Sequence, residues 1–420
     1  MTSSDGEAPR ATPIDTDVPF LLGELGIDPL MGELVAESVA EQLVSAEPPD
    51  IVAADPGAAE RAARIRELEA RIGRELTALG PAGWTRLEAV FALTVAAEAG
   101  YVGFLDDQDR VARVEPPETT LAAVREHRLL SAPDGDGPWW RLLIAAQAGG
   151  DTELVPDDGA EPFPDDQLFD PEAYLEDLHV FPRRRLPLWL AAYLWHEGRQ
   201  VRTPRQAAEA ARAARAVPAP VAGVPELPAL WGRWTVIAAA FLAIGSPRGP
   251  GVAPALAWFE DGFHSGSSLF LLPGGRAVLS GGVATDPDLD AAYNTGGPLP
   301  DLYAGAPAWV ADPVLDPRSR AGLLSFCLWW SGGQWYRGGP GGDPAAALPP
   351  VSGPAETVSA IVELLAAEAT PPRPEAVRAL VGAAETNRVG RADLAAVFTA
   401  PEHDLDSAYY QLIIAGVAAE

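Results

Sequence analysis

The chain of 420 residues has few side chains from which chemistry could be built: five histidines, one cysteine and some short polar clusters. The histidines are His127, His179, His196, His264 and His403, and none stands at metal-ligand spacing from another, so no metal site is expected. His196-Glu197 ends an apolar run and reads as the edge of an amphipathic helix. Residues 261–268, Asp-Gly-Phe-His-Ser-Gly-Ser-Ser, bring an acid, a base and hydroxyls close together. A Ser/His/Asp triad draws its members from distant positions, and the Gly-x-Ser-x-Gly elbow is missing. A polar loop ahead of a hairpin is the simpler reading, and a hydrolase with its site near Asp261 and Ser268 is the alternative function. Gly338-Gly339-Pro340-Gly341-Gly342 lacks the Lys-Ser/Thr of a phosphate loop and opens no helix. Cys327 sits in the apolar run Phe326-Cys327-Leu328 and reads as a buried small residue. No catalysis and no cofactor are expected.

Charge narrows the partners. The formal net charge is -29, from 30 basic and 59 acidic residues, and every basic residue is Arg. Nucleic acids and anionic membranes need a basic surface, so both are disfavoured. A partner recognised by charge would be a basic protein. A single cysteine allows no internal disulfide, which fits a cytoplasmic location. Residues 1–19 are polar and acidic, unlike a signal peptide. The most apolar stretch, residues 234–244, is too short to span a bilayer.

The elements that would position these groups follow from periodicity and turn signals. A helix is predicted from Asp28-Pro29, and a clearer one over 58–79, where Ile65, Leu68, Ile72, Leu76 and Leu79 share a face. Alternation over 88–95 predicts a strand. Asp106-Asp107-Gln108-Asp109 and Gly149-Gly150 read as hairpin turns, with a helix over 118–130 between the hairpins. Helices are predicted from Asp170-Pro171, over 188–197 and from Thr203-Pro204. Further hairpins surround Pro273-Gly274-Gly275-Arg276 and Ser331-Gly332-Gly333-Gln334, and helices close the chain from 356 onward. This order predicts an α+β fold of two domains, each an antiparallel sheet with packed helices, plus a C-terminal helical segment. The expected division is an N-terminal arm (1–27), a first α+β domain (28–216), a Pro-rich linker (217–228), a second α+β domain rich in Gly turns and Trp (229–350), and C-terminal helices (351–420).

The densest chemical signal is acidic. No Arg or Lys occurs between Leu142 and Pro182, a span that holds Asp151, Glu153, Asp157, Asp158, Glu161, Asp165, Asp166, Asp170, Glu172, Glu176 and Asp177. Clustered carboxylates repel one another, so folding alone gains nothing from them. EF-hand spacing is absent, which disfavours Ca²⁺. Phe163, Leu168, Phe169, Tyr174, Leu175 and Leu178 are interleaved, so the segment reads as ordered. It is expected to meet a partner through Asp157, Asp158, Glu161, Asp165, Asp166, Glu172 and Glu176. Phe163 and, from the second half, Trp335 are expected as aromatic anchors.

Phe163-Pro164-Asp165-Asp166, Phe169-Asp170-Pro171-Glu172-Ala173-Tyr174-Leu175-Glu176-Asp177-Leu178, Phe181-Pro182-Arg183-Arg184 and Leu186-Pro187-Leu188-Trp189-Leu190 together resemble the C-terminal signature of the YezG-like immunity proteins. The order of elements upstream, with Gly83-Trp84 opening a strand and a helix before Trp139-Trp140, is similar too. The resemblance covers roughly residues 58–195. It implies a bacterial immunity or antitoxin role in a polymorphic toxin system: binding a cognate toxin, often a nuclease, and blocking it. A structural or regulatory adaptor in a defence or secretion locus is the other alternative.

Overall fold

The computed structural model describes residues 57–132, 137–246, 248–367 and 373–419. The N-terminal arm and the helix predicted from Asp28 lie outside the described residues. Residues 60–420 belong to one compact unit, and its class is the α+β expected from sequence, with two antiparallel sheets.

The first sheet has five strands in the order β3-β2-β1-β4-β5. They are β1 (Arg86–Leu93), β2 (Glu98–Leu105), β3 (Val111–Arg113), β4 (Arg141–Gln147) and β5 (Thr152–Asp157). Two helices, α1 (Ala58–Thr77) and α2 (Glu118–Leu130), cover one face. Leu68, Ile72 and Leu76 of α1 and Ala123 and Val124 of α2 meet Leu87, Ala89 and Phe91 of β1 and Leu142 and Ile144 of β4. The predicted turns close these hairpins: the Asp106 carboxylate accepts the Gln108 and Arg110 amides at 2.9 and 3.0 Å.

Three short helices follow: α3 (Pro171–Val180), α4 (Leu188–Trp195) and α5 (Pro204–Ala213). Proline at the first helical position starts α3 and α5 as its fixed φ favours. Thr203 and Gln206 complete a capping box on α5.

Helix α6 (Leu227–Ala243) is buried around its whole circumference from Leu230 to Ala240 and is correspondingly apolar, with Arg233 and Thr235 as its polar exceptions. It lies against the second sheet, seven strands in the order β6-β12-β11-β10-β9-β8-β7. These are β6 (Ala219–Pro220), β7 (Gly251–Ala253), β8 (Leu256–Glu260), β9 (Gly266–Leu272), β10 (Arg276–Gly282), β11 (Phe326–Ser331) and β12 (Gln334–Arg337). Helix α7 (Pro287–Asn294) stands between β10 and β11 in the chain, and α8 (Pro354–Ala367), α9 (Pro374–Glu385), α10 (Arg391–Val397) and α11 (Leu405–Ile414) close it. Gly232 lets α6 approach α9 closely, since a Cβ there would collide with the Ala384 carbonyl.

Both faces of the second sheet are covered. Ala277, Leu279, Leu328, Trp330 and Trp335 face the helical layer. Val278, Cys327 and Trp329 face an irregular segment carrying Leu302, Tyr303, Val310 and Leu315.

The expected Pro-rich linker is not a free connector. Its Ala219 and Pro220 pair with Arg337 and Tyr336 as the edge strand β6, and the Pro225 carbonyl accepts the Trp335 indole at 2.7 Å. Proline removes a ladder donor, and an edge strand tolerates that. The two sequence halves are also tied elsewhere. Leu188 and Leu190 of α4 pack with Leu289 and Tyr293 of α7, and Gln200 exchanges hydrogen bonds of 2.8 and 3.0 Å with the Leu324 backbone.

Candidate protein-binding surface

The acidic segment begins where β5 leaves the first sheet. Asp157 is not a free carboxylate: Arg141, its cross-strand partner, donates to it from Nε at 2.8 Å and Nη2 at 2.5 Å. The same guanidinium reaches Gln167 at 2.7 Å and lies 4.4 Å from the Phe163 ring centre. The chain then turns at Gly159, whose φ of +76° suits glycine and whose missing side chain leaves room for Phe163 and Trp189. Trp189 donates its indole N–H to the Gly159 carbonyl at 2.8 Å.

Phe163 is 2% exposed and therefore a core residue, not the surface anchor expected from sequence. Its ring meets Trp189 edge-on at 5.0 Å and lies 6.4 Å from Trp140. Trp140 in turn meets Tyr174 at 5.9 Å. Burial pushes the Tyr174 phenol up to about 12, so it stays neutral and acts by packing. Trp335 is likewise 2% exposed, packed edge-on against Trp330 at 5.4 Å. Trp335 was expected outside because alternation cannot distinguish inside from outside where both sides of a sheet are covered; Phe163 belongs to no strand, and its exposed acidic neighbours say nothing of which way its ring turns.

Helix α3 is held by a buried ion pair that sequence reasoning did not find. Asp177 is fully buried; both its oxygens accept from Arg128 Nη2 at 2.8 Å. Oδ2 also accepts the Trp140 indole at 3.0 Å, and Oδ1 the Val95 amide at 2.9 Å. Arg128 Nε is satisfied by the Trp139 carbonyl at 2.9 Å. The available signal was the helical period: Tyr174, Asp177 and Leu178 share a face, so Asp177 had to point inward. Its partner, 49 residues upstream, had no local mark.

Arg183 completes the scaffold. Its guanidinium stacks over Trp140 at 3.6 Å, donates to the Pro138 carbonyl and stands 3.4 Å from Asp158. Burial lowers its pKa.

Against this frame the remaining carboxylates point outward. Asp158, Glu161, Asp165, Asp166, Glu172 and Glu176 are exposed. Apart from Asp158, none of them has a hydrogen-bond or ion-pair partner among the described residues. Glu172 and Glu176 are one helical turn apart on α3, with Leu175 beside them at 41% exposure. The surface thus combines unpaired acids with an exposed aliphatic side chain on a backbone fixed from beneath.

The polar clusters of the second half are occupied locally. Asp261 Oδ1 accepts the Phe263 and Ser265 amides, each at 2.8 Å, in a turn where His264 takes a left-handed φ of +62°. Ser265 Oγ accepts the Ala284 amide at 3.1 Å, and Ser267 Oγ donates to the Ala347 carbonyl at 2.6 Å. These contacts build a turn, not a nucleophile with its base. In the glycine-rich loop, the carbonyls of Gly339 and Gly341 accept from Arg337, and the amides of Gly339 and Gly342 donate to the Asp301 and Ser325 carbonyls. Those amides do not converge on an anion. Among the described residues no His/Cys/Asp/Glu cluster suits a metal ion, and no helix is long and apolar enough to cross a membrane. No protein-family model matches the chain, and no curated protein matches its sequence.

Proposed function

We propose that this chain is an immunity or antitoxin-like protein that acts by binding, not catalysis, and that its outward acidic face occupies the basic surface of a cognate toxin, a nuclease above all. One observation carries the reading: Glu161, Asp165, Asp166, Glu172 and Glu176 are exposed without partners, while Asp157 and Asp177 of the same segment are paired with arginines. Unpaired clustered acids cost self-repulsion that a basic partner would relieve. The resemblance of residues 163–190 to the YezG-like signature supports the same reading. A nuclease suits the charge because its phosphate-binding groove is basic.

The test uses the product of the neighbouring gene. Expressed alone it should arrest growth, and co-expression of this chain should restore it. Replacing Glu161, Asp165 and Asp166 by Arg, and leaving Asp158 in place to pair with Arg183, should abolish the protection while leaving the fold intact. Full protection by that variant would overturn the proposal.

A further inference from the structure

The connection from α7 to β11, residues 295–325, holds no helix or strand beyond the 3-10 turn Pro317–Ala321. Connections this long without regular structure are uncommon in compact domains. Yet this one forms a layer: Leu302, Tyr303, Val310, Leu315 and Leu324 pack on Val278, Cys327 and Trp329 of the second sheet.

A carboxyl group lies beneath that layer. Asp316 is fully buried. Tyr303 donates its hydroxyl to Oδ2 at 2.9 Å, and the Cys327 thiol approaches Oδ1 at 3.4 Å. Both donors are neutral. From β10, Ser280 Oγ lies alongside and donates to the Leu315 carbonyl at 2.8 Å. The charged groups nearby do not neutralise it. Asp312, from the same segment, is acidic and raises the Asp316 pKa further. Arg202 sits over the outer side of the Tyr303 ring at 5.0 Å and pairs with Asp301 at 2.7 Å. No cation pairs with Asp316 among the described residues. A bare carboxylate in such a place is costly, and the group responds by staying protonated. Burial pushes the Asp316 carboxyl up to about 7.

We propose that residues 301–325 form a proton-operated cover, held on the Trp329 face of the second sheet while Asp316 is a neutral acid and loosened when it ionises. With the cover open, Asp316 returns to the ordinary carboxylate value of about 3.9. The closed state therefore binds the extra proton. The cover is tightest below that value, weakens as pH rises, and stops weakening above about 7, the pKa of the closed state.

Hydrogen exchange of the full chain between pH 5 and pH 8 tests this, with amide protection in 301–325 taken relative to α6 in the same sample. Relative protection should fall about tenfold per pH unit up to about 7 and then level. In Asp316→Asn it should not vary with pH, and a protonated-carboxyl infrared band seen at pH 6 should vanish. Constant protection in the unaltered protein, or the same slope in Asp316→Asn, would overturn the proposal. Should that variant not fold, Tyr303→Phe serves. It removes a hydrogen bond that favours the carboxylate, so levelling should move to higher pH, and an unmoved midpoint counts against the cover.

Discussion

At the scale of single residues, the buried polar groups around Trp139 and Trp140 decide whether α3 can present its acids. Removing one member of the Arg128–Asp177 pair strands a charge in the core, which costs about 3–5 kcal/mol. Asp177→Ala and Arg128→Ala should each lose about that much in urea denaturation, and the double variant less than their sum. His127 adds a pH dependence. It is buried, and its Nδ1 accepts the Trp139 indole N–H at 3.1 Å. Burial lowers its pKa below the ordinary 6.5, so the folded chain keeps it neutral while the unfolded chain protonates. Its contribution is present above about 6.5 and is lost as pH falls below that value, by up to about 1.4 kcal/mol per unit. The difference in stability between the unaltered protein and His127→Gln, measured at pH 8 and pH 5.5, should shrink at the lower pH. A constant difference would mean that His127 protonates equally in both states.

At the scale of elements, most helices and hairpins were legible because local chemistry marks them. Thr203-Pro204 with Gln206 spells a capping box, and Thr203→Ala should cost about 1 kcal/mol in thermal or urea unfolding. Helix α2 was predicted at its observed bounds, and the Asp106 turn was marked by its own side chain. What failed was the assignment of faces. Along β11 and β12 the alternation is present, but helices cover one side and an irregular segment the other, so Trp335 is buried where an exposed ring was expected. Phe163 failed for a related reason: its acidic neighbours point out, and that says nothing of where the ring goes. Asp157 read as a surface acid because Arg141 is 16 residues away in sequence and adjacent only once β4 and β5 pair. On α3, Leu175→Ala removes an exposed side chain and should change stability by less than about 0.5 kcal/mol. If the acidic face is the binding face, the same change should weaken partner affinity measured by calorimetry.

At the scale of the whole molecule, charge sets the terms of any encounter. A net charge of -29 disperses copies of this chain and attracts basic proteins in general, so net charge alone could mimic a specific site. Position separates the two. Replacing Glu161, Asp165 and Asp166 by Arg changes the total by the same amount as replacing Glu356, Glu375 and Glu402, which are also exposed but sit on or beside the C-terminal helices. The decisive measurement is the affinity of the purified partner for the unaltered protein and both triple variants, at 50 and 200 mM salt. A specific acidic face predicts that the first variant loses binding by at least about 100-fold while the second stays within about threefold, with affinity falling steeply as salt rises. Equal losses in the two variants would contradict it.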